Sequence, residues 1–311
     1  LKFLLIDGDV VKYRVGFAAQ KTRYVVYNEV LDPTTGKDPG TIFPNAKEAN
    51  AHMKEYGGTR ESFVEVEPVE NALHSCKQLM QSIQDKYPRA TVLVYFSCPT
   101  KDNWRTVFYP QYKANRKPRR PEHAEAIYEY MGKKFHCLQC TDQEADDAIA
   151  AEAAGFRKKN IAHVVCTNDK DMDQIPGEHY DFTKTLEYYV TPDEAALSLD
   201  IQTIAGDSTD NIPGIKDWGA VTATKWLENQ TVMDAYDKVY ECQAVADYQH
   251  ALNRALVTLP RTPLELRALV REVTDAREKG EALAKAGQDA DESVDGAGTG
   301  EESSPGVEEK C

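Results

Sequence analysis

The chain has 311 residues, 41% hydrophobic and 28% charged, with a net charge of −14. That is a soluble globular composition with room for one large or two smaller domains. No apolar run approaches the roughly 20 residues a membrane span needs, and the opening Leu-Lys-Phe-Leu-Leu-Ile-Asp lacks the length and flanks of a signal peptide. The charge is unevenly spread. Residues 275–311 hold 11 acids against 4 bases, half of the net charge, whereas residues 101–120 hold 7 bases against one acid. A concentrated basic segment in an acidic protein still binds phosphate through its local field. Seven cysteines at irregular spacing point to reduced thiols and a cytoplasmic setting. Cys137 and Cys140 form a CxxC without a second ligand pair, so buried structural thiols are favoured over zinc.

Residues 3–6 are an apolar run ending in Asp7-Gly8-Asp9. This reads as a buried strand that delivers acids at its C-terminal end, although a plain turn would explain Asp7 and Gly8 by themselves. Residues 20–68 read as an insertion, with strands at 24–27 and 63–66, turn chemistry at 32–36 and a short helix over 45–56 closed by Gly57-Gly58. Val69, Ala72, Leu73, Cys76, Leu79, Met80 and Ile83 recur at helical spacing, and residues 91–96 form a β-branched and aromatic strand. Strand, helical crossover and strand make a βαβ unit, hence a parallel sheet.

Residues 104–120 interleave Lys and Arg with Trp104, Phe108, Tyr109 and Tyr112. Bases neutralise phosphates and aromatic faces stack on nucleobases; a solvated basic loop is the plainer alternative. Thr141-Asp142-Gln143-Glu144 matches a capping box, placing Asp146 and Asp147 in the first helical turn, where acids favour the dipole in any case. Residues 161–166 are a strand, and Asp169, Asp171 and Asp173 follow at alternate positions. If extended, Asp169 and Asp171 face the same side, and acids so close repel unless a cation or wide solvation separates them. Carboxylates at the C-terminal ends of strands are natural ligands for hard cations such as Mg²⁺.

Thr191-Pro192-Asp193-Glu194 is a second capping box, with Pro at the first helical position, opening a helix that stops at Gly206. Then Asp207 and Asp210 precede a Pro213-Gly214 turn and a helix through residues 222–227, a helix–hairpin–helix pattern whose turn amides can hold a DNA phosphate. Helical patterns continue to Val257. Beyond Thr274 the chain has the composition of a disordered acidic tail, its first dozen residues compatible with helix.

Taken together, residues 1–260 resemble the flap-endonuclease superfamily of 5′-nucleases, nearest to the bacteriophage 5′→3′ exonucleases and related to the 5′-nuclease domain of DNA polymerase I. The motifs that carry the resemblance are Ile6-Asp7-Gly8, Tyr112-Lys113-Ala114-Asn115-Arg116, Glu144-Ala145-Asp146-Asp147, Thr167-Asn168-Asp169-Lys170-Asp171 and Gly206-Asp207-Ser208-Thr209-Asp210-Asn211-Ile212-Pro213-Gly214. The resemblance implies an α/β, PIN-like and Rossmann-like fold with a mostly parallel sheet. The catalytic domain would be 1–206, with the 20–68 insertion and a helical arch at about 101–134. A helix–hairpin–helix region at 207–274 and the tail at 275–311 would follow.

It further implies two Mg²⁺ or Mn²⁺ ions held by Asp7, Glu144, Asp146, Asp147, Asp169, Asp171, Asp207 and Asp210. Lys113 and Arg105 would contact the scissile phosphate, and Tyr112 would stack on the terminal base. Asn115, Arg116, Lys117, Arg119, Arg120, Gly214 and Gly219 would meet DNA, with a K⁺ ion on the hairpin carbonyls. The expected substrate is duplex DNA with a 5′ end, a flap or an RNA primer, in the cytoplasm of a bacterial host and in the company of replication proteins. A flap endonuclease and a non-catalytic DNA-end-binding relative are the alternatives. Two departures stand out. Where the family has an Asp after the second sheet strand, this chain reads Tyr95-Phe96-Ser97-Cys98, with Asp102 the nearest acid. The hairpin carries Asp217-Trp218 where a small residue is usual.

Overall fold

The apolar run at the start of the chain becomes the central strand of a six-stranded sheet. In the computed structural model, which describes residues 2–28, 38–116 and 119–294 with side chains as far as 284, this strand is β1 (Lys2–Asp7). Leu4, Leu5 and Ile6 have no exposed surface, as a strand covered on both faces requires. There follow α1 (Gly8–Ala18), β2 (Gln20–Tyr27), β3 (Thr41–Phe43), α2 (Ala46–Tyr56) and β4 (Thr59–Val66). Asn45 caps α2, its Oδ1 accepting the Glu48 N–H at 3.0 Å, and Gly57 at φ 73° closes it. Next come α3 (Val69–Lys86), β5 (Thr91–Phe96), the one-turn α4 (Arg105–Phe108), α5 (Ala124–Lys134), β6 (His136–Gln139) and α6 (Ala145–Lys158). The stripe expected on α3 is its buried face, with Ala72, Cys76, Met80 and Ile83 inside. β7 (Ala162–Cys166), β8 (Gly177–Asp181), β9 (Leu186–Val190), α7 (Pro192–Ala205), α8 (Ala220–Leu227), α9 (Val232–Val239), α10 (Gln243–Val257) and α11 (Pro263–Val294) complete the chain.

The sheet runs in the order β6-β5-β1-β7-β8-β9. β1 pairs in parallel with β5, Asp7 opposite Tyr95, and with β7, Ile6 opposite Cys166; β7 and β8 are parallel, and β9 returns antiparallel. From β1 the chain crosses to β5 and β6 on one side, then returns from β6 through α6 to β7 on the other side of β1. The C-terminal end of β1, where Asp7 sits, is therefore the switch point of the sheet, where open α/β folds bind ligands. Helix α6 covers this part of the sheet, packing Ile149, Ala150, Ala153 and Phe156 with Leu5, Val165 and Ile175. Each such buried aliphatic or aromatic side chain contributes roughly 1.5–3 kcal/mol.

Contacts divide the chain into two compact units, residues 1–7, 90–117 and 138–311 in one and 8–89 and 118–137 in the other. Within the first, α7, α10 and α11 share a core of Leu199, Leu252, Leu256 and Val273, and α8 and α9 pack Ala223, Ala235 and Tyr236 against Ile204 and Ile215. Within the second, an antiparallel sheet of order β3-β2-β4 accompanies α1, α2, α3 and α5. Gly16 of α1 lies so close to Pro121 that a Cβ would come within 2.5 Å of it.

Several expectations change. The boundary at residue 206 does not divide the contacts: residues 207–274 fold into the unit that holds the sheet, and the 20–68 insertion groups with α1, α3 and α5. The 101–134 stretch contains α4, turns and α5 and is shared between the units. The helix compatible with the first dozen residues of the acidic tail forms and runs on to Val294, because Ala, Glu, Lys and Arg are strong helix formers whatever their net charge. The remainder of the tail and the expected 32–36 turn lie outside the described residues. Helix α1 and strands β3, β6, β8 and β9 were not anticipated; the strands are short and carry polar residues, so alternation is weak in them.

Gly206 (φ 65°, ψ −167°) ends α7 in a conformation open to glycine, and a Cβ there would lie 2.5 Å from the Gly214 nitrogen and the Ile212 oxygen. Gly57 has a similar backbone but nothing within 4 Å of a Cβ. Gly57→Ala should therefore cost about 2 kcal/mol from backbone strain alone. Gly206→Ala should cost about 2 kcal/mol more from the clash, as read by urea denaturation of the two variants.

Candidate metal centre

The N-terminus of α6 carries the densest group of acids. The capping box expected at residues 141–144 is displaced by three residues. Glu144 is the N-cap, and its N–H donates to Oδ2 of Asp147 at the third helical position, 3.2 Å away. Residues 142 and 143 are drawn out of the helix because their carbonyls accept from the Trp104 N–H at 2.9 Å and the Cys98 N–H at 3.0 Å. Ser97, at the position of the missing family Asp, places its Oγ 2.9 Å from the Ala145 N–H, satisfying a donor that the helix start leaves open. Asp102 lies exposed in a 3-10 turn, Thr100–Asp102, and does not join the acids of α6. Asp102 therefore does not supply the acid expected near Ser97.

Among the described residues, Glu144, Asp146 and Asp147 bring one carboxylate oxygen each within 4.8 Å of one another. Burial, and then the carboxylates of Glu144 and Asp147, raise Asp146 well above the ordinary Asp range. Burial acts in the same sense on Glu144, but Lys113 and Arg105 outweigh it and hold that acid low. The Lys113 ammonium bonds to Glu144 Oε1 and lies 3.3 Å from Asp210 Oδ2. Burial would lower its pKa, and Glu144, Asp210 and Asp146 together raise it instead.

A second group of acids faces the first across Lys113. Asp169 follows β7 and Asp171 lies in the 3-10 segment Lys170–Gln174, so the two are not extended side by side as expected. The Asp171 N–H donates to Asp169 Oδ1 at 3.0 Å, which curls the segment. Burial, then Asp169, Asp207 and Asp210, push Asp171 up to about 7. Gln202 of α7 donates to Asp171 Oδ1 at 2.8 Å and itself accepts from Gln174. Neither glutamine carries a sequence signal for this role, which arises only when α7 is laid beside the 170–174 segment. Asp173 is engaged by the Tyr188 hydroxyl at 2.9 Å. Asp207 and Asp210 occupy a tight loop in which Asp207 and Ile212 exchange backbone hydrogen bonds at 3.0 and 2.7 Å. Asp7, 7% exposed at the end of β1, lies at the sheet edge that leads into Thr167 and Asp169.

The basic segment is stitched to this loop. The Lys113 N–H donates to the Asp210 carbonyl at 2.8 Å, Asn115 Nδ2 to the Ser208 carbonyl at 2.7 Å, and Asn211 Nδ2 to the Gln111 carbonyl at 2.7 Å. Arg116 pairs with Asp210 through Nη2 and donates to the Thr209 carbonyl at 3.3 Å. Tyr112 does not offer a ring face for stacking. It is 4% exposed, and its hydroxyl donates to Glu144 Oε2 at 2.6 Å, with Asp210 Oδ2 3.3 Å away. Arg105 is likewise withdrawn. It is 2% exposed and grips Asp147 with two bonds of 2.7 Å. Arg119 stacks on Phe17, 5.2 Å to the centroid, and Arg120 pairs with Glu125 at 2.7 Å, both in the second unit. Lys117 lies outside the described residues. Gly214 (φ 60°) turns the hairpin back against Ala205, and Gly219 is the N-cap of α8. Asp217 takes up φ 65° beside Trp218, which meets Trp226 edge-on at 5.2 Å.

The family model described as 5′-3′ exonuclease, N-terminal resolvase-like domain, matches residues 48–200. Over this stretch, just under half of the chain, the protein is similar to the 5′-nuclease superfamily. It is 27% identical over 194 residues to the 5′-3′ exonuclease of Buchnera aphidicola subsp. Baizongia pistaciae, covering 55% of this chain and 62% of that protein. It is 26% identical over 176 residues to the thermostable DNA polymerase I of Thermus caldophilus, covering 52% of this chain and 21% of the polymerase. The chain thus spans less than two thirds of either relative. Its fold matches that of the bacteriophage T5 D15 flap endonuclease, solved as a pseudo-enzyme–product complex with DNA and metal ions, with a TM-score of 0.52, 18% identity, and coverage of 90% of this chain and 100% of that one.

Because the folded state raises Asp171, it holds that proton more tightly than the unfolded chain does. The group therefore subtracts stability as pH rises from about 4 to about 7. In metal-free protein, Asp171→Asn should remove this penalty. The variant should gain on the order of 3 kcal/mol relative to the parent between pH 5 and pH 8, measured by urea denaturation in EDTA at the two pH values.

Proposed function

We propose that the chain is a divalent-metal-dependent nuclease that hydrolyses phosphodiester bonds at the 5′ ends of duplex DNA. The observation that carries this reading is the convergence of two carboxylate groups on the buried Lys113. Lys113 meets Glu144, Asp146 and Asp210 of the two groups, and Asp169, Asp207 and Asp210 surround Asp171. Acids raised by burial and then by neighbouring carboxylates, as Asp146 and Asp171 are, constitute a site that a hard cation stabilises. The donors are all oxygens, which suits Mg²⁺ or Mn²⁺, and these six residues with Asp7 would hold the ions. When bound, such ions polarise a phosphoryl oxygen and lower the pKa of a water to supply the nucleophile.

The chain's own groups do the rest. Lys113 carries a positive charge that burial does not neutralise, and its ammonium can meet the negative charge that shifts toward the leaving oxygen. To do so it must exchange Glu144 and Asp210 for phosphate, which is the exchange that entry of cations at those carboxylates favours. Tyr112 holds Glu144 through its hydroxyl, and Gln202 holds Asp171, so the acids are oriented before any ligand arrives. Loop 207–212 positions the basic segment through Asn115 and Arg116. A flap endonuclease is the second reading, favoured by the fold shared with the T5 enzyme.

Asp146→Asn and Asp171→Asn should each lower cleavage of a 5′-labelled duplex by on the order of 10³-fold or more, and EDTA should stop the parent. EDTA-insensitive cleavage would refute the reading. Lys113→Ala should cost about 10²–10³-fold in kcat. A labelled 5′ flap and a blunt duplex digested side by side separate the two readings: preferential cutting at the flap junction marks the endonuclease, and stepwise release from the blunt end the exonuclease.

A further inference from the structure

We propose that Arg105 and Asp147 are a positioning pair for Glu144 and Asp146, rather than a phosphate contact and a metal ligand. The inference rests on the metal-dependent reading above and concerns which of the α6 acids an ion can reach.

The donors of Arg105 are fully used. A guanidinium has five N–H groups. Nε donates to the Leu256 carbonyl at 2.8 Å. Nη1 donates to Asp147 Oδ2 at 2.7 Å and reaches Glu144 Oε2 at 3.5 Å. Nη2 donates to Asp147 Oδ1 at 2.7 Å and to the Thr258 carbonyl at 2.9 Å. No N–H remains for a phosphate, and 2% exposure leaves no path for one. Leu256 lies in the last turn of α10, where carbonyls lack intrahelical partners and a cation is favoured. The Trp104 ring covers the guanidinium at 4.5 Å.

Both carboxylate oxygens of Asp147 are engaged. Oδ2 takes Arg105 Nη1, the Trp104 indole N–H at 3.1 Å and the Glu144 N–H at 3.2 Å, while Oδ1 takes Arg105 Nη2. Oδ2 thus carries three bonds and Oδ1 one, and the side chain has no exposed surface. An ion that took Asp147 as a ligand would have to break the two-bond pair and sit against a buried guanidinium. Glu144 and Asp146 have no such two-bond pair with a buried guanidinium; Glu144 is held by Lys113 and Tyr112. Asp147 instead fixes the Glu144 backbone, and its own N–H donates to Asp146 Oδ1 at 2.9 Å. The pair therefore ties α4, the start of α6 and the end of α10 to the two acids that face the site.

The test is direct Mn²⁺ binding by electron paramagnetic resonance, independent of turnover. Asp146→Asn should lose one ion per chain. Asp147→Asn should keep the parent's number of ions with affinity lowered about 10- to 100-fold, the usual effect of removing a group that orients a ligand. Loss of an ion by Asp147→Asn would make Asp147 a ligand, and unchanged affinity would make the pair merely structural; either overturns the proposal. If Asp147→Asn does not fold, the same titration is made on Arg105→Met with Asp147→Leu, which removes both charges together, with the same expected and overturning results. A third measurement uses the unsubstituted protein. Exchange of the Trp104 indole proton, identified with Trp104→Phe, should be equally slow with and without saturating Mg²⁺. Faster exchange would show Asp147 leaving Trp104 for the ion and would refute the proposal. Failure of the unsubstituted protein to bind Mn²⁺ would overturn the metal reading itself, and this inference with it.

Discussion

Carboxylates packed at the mouth of a parallel sheet repel one another, and the organisation of this protein follows from how that repulsion is managed. Asp147 is neutralised permanently, by a guanidinium buried with it. Glu144 is neutralised by Lys113 and held by Tyr112. Asp146 and Asp171 are instead raised, first by burial and then by neighbouring carboxylates. The distribution is uneven in a way that suits a site for cations, because the acids without a permanent partner are those a cation would stabilise.

The positive groups that manage this charge come from one segment. Residues 104–116 supply Trp104 and Arg105 to the buried pair and Tyr112 and Lys113 to the exchangeable contacts. They also supply Asn115 and Arg116 to loop 207–212. The segment therefore does more than present bases to solvent. Its first part is anchored in the core of its unit, where removing one partner of a buried pair is strongly destabilising. Its later part rests on acids that cations can take over, and this division gives a physical basis for a fixed base and an exchangeable tip.

Much of the fold was legible in the residues. The apolar run of β1, the β-branched run of β5 and the helical stripe of α3 have periodicities that local geometry imposes. The caps at Thr191 and Gly206 are local chemistry, so they too could be read directly. The short strands β8 and β9 carry few apolar residues and exist because they pair with β7 and with each other. The displaced capping box at Glu144 shows the same limit. Thr141 to Glu144 fits the motif, but bonds from Cys98 and Trp104 claim the carbonyls before the helix can start there.

The sequence by itself determined that acids would gather at strand and helix ends, that a basic aromatic segment would accompany them, and that a glycine-rich loop would carry two more acids. These are properties of residue type and spacing, and they suffice to indicate an oxygen-ligand site. Only the tertiary structure decided which acid meets which partner. Asp146 and Asp147 are neighbours of the same residue type, yet the 100° turn of the helix between them leaves one toward the site and turns the other onto Arg105. Burial then makes the second commitment permanent, because a charge with no access to water keeps the partner it has.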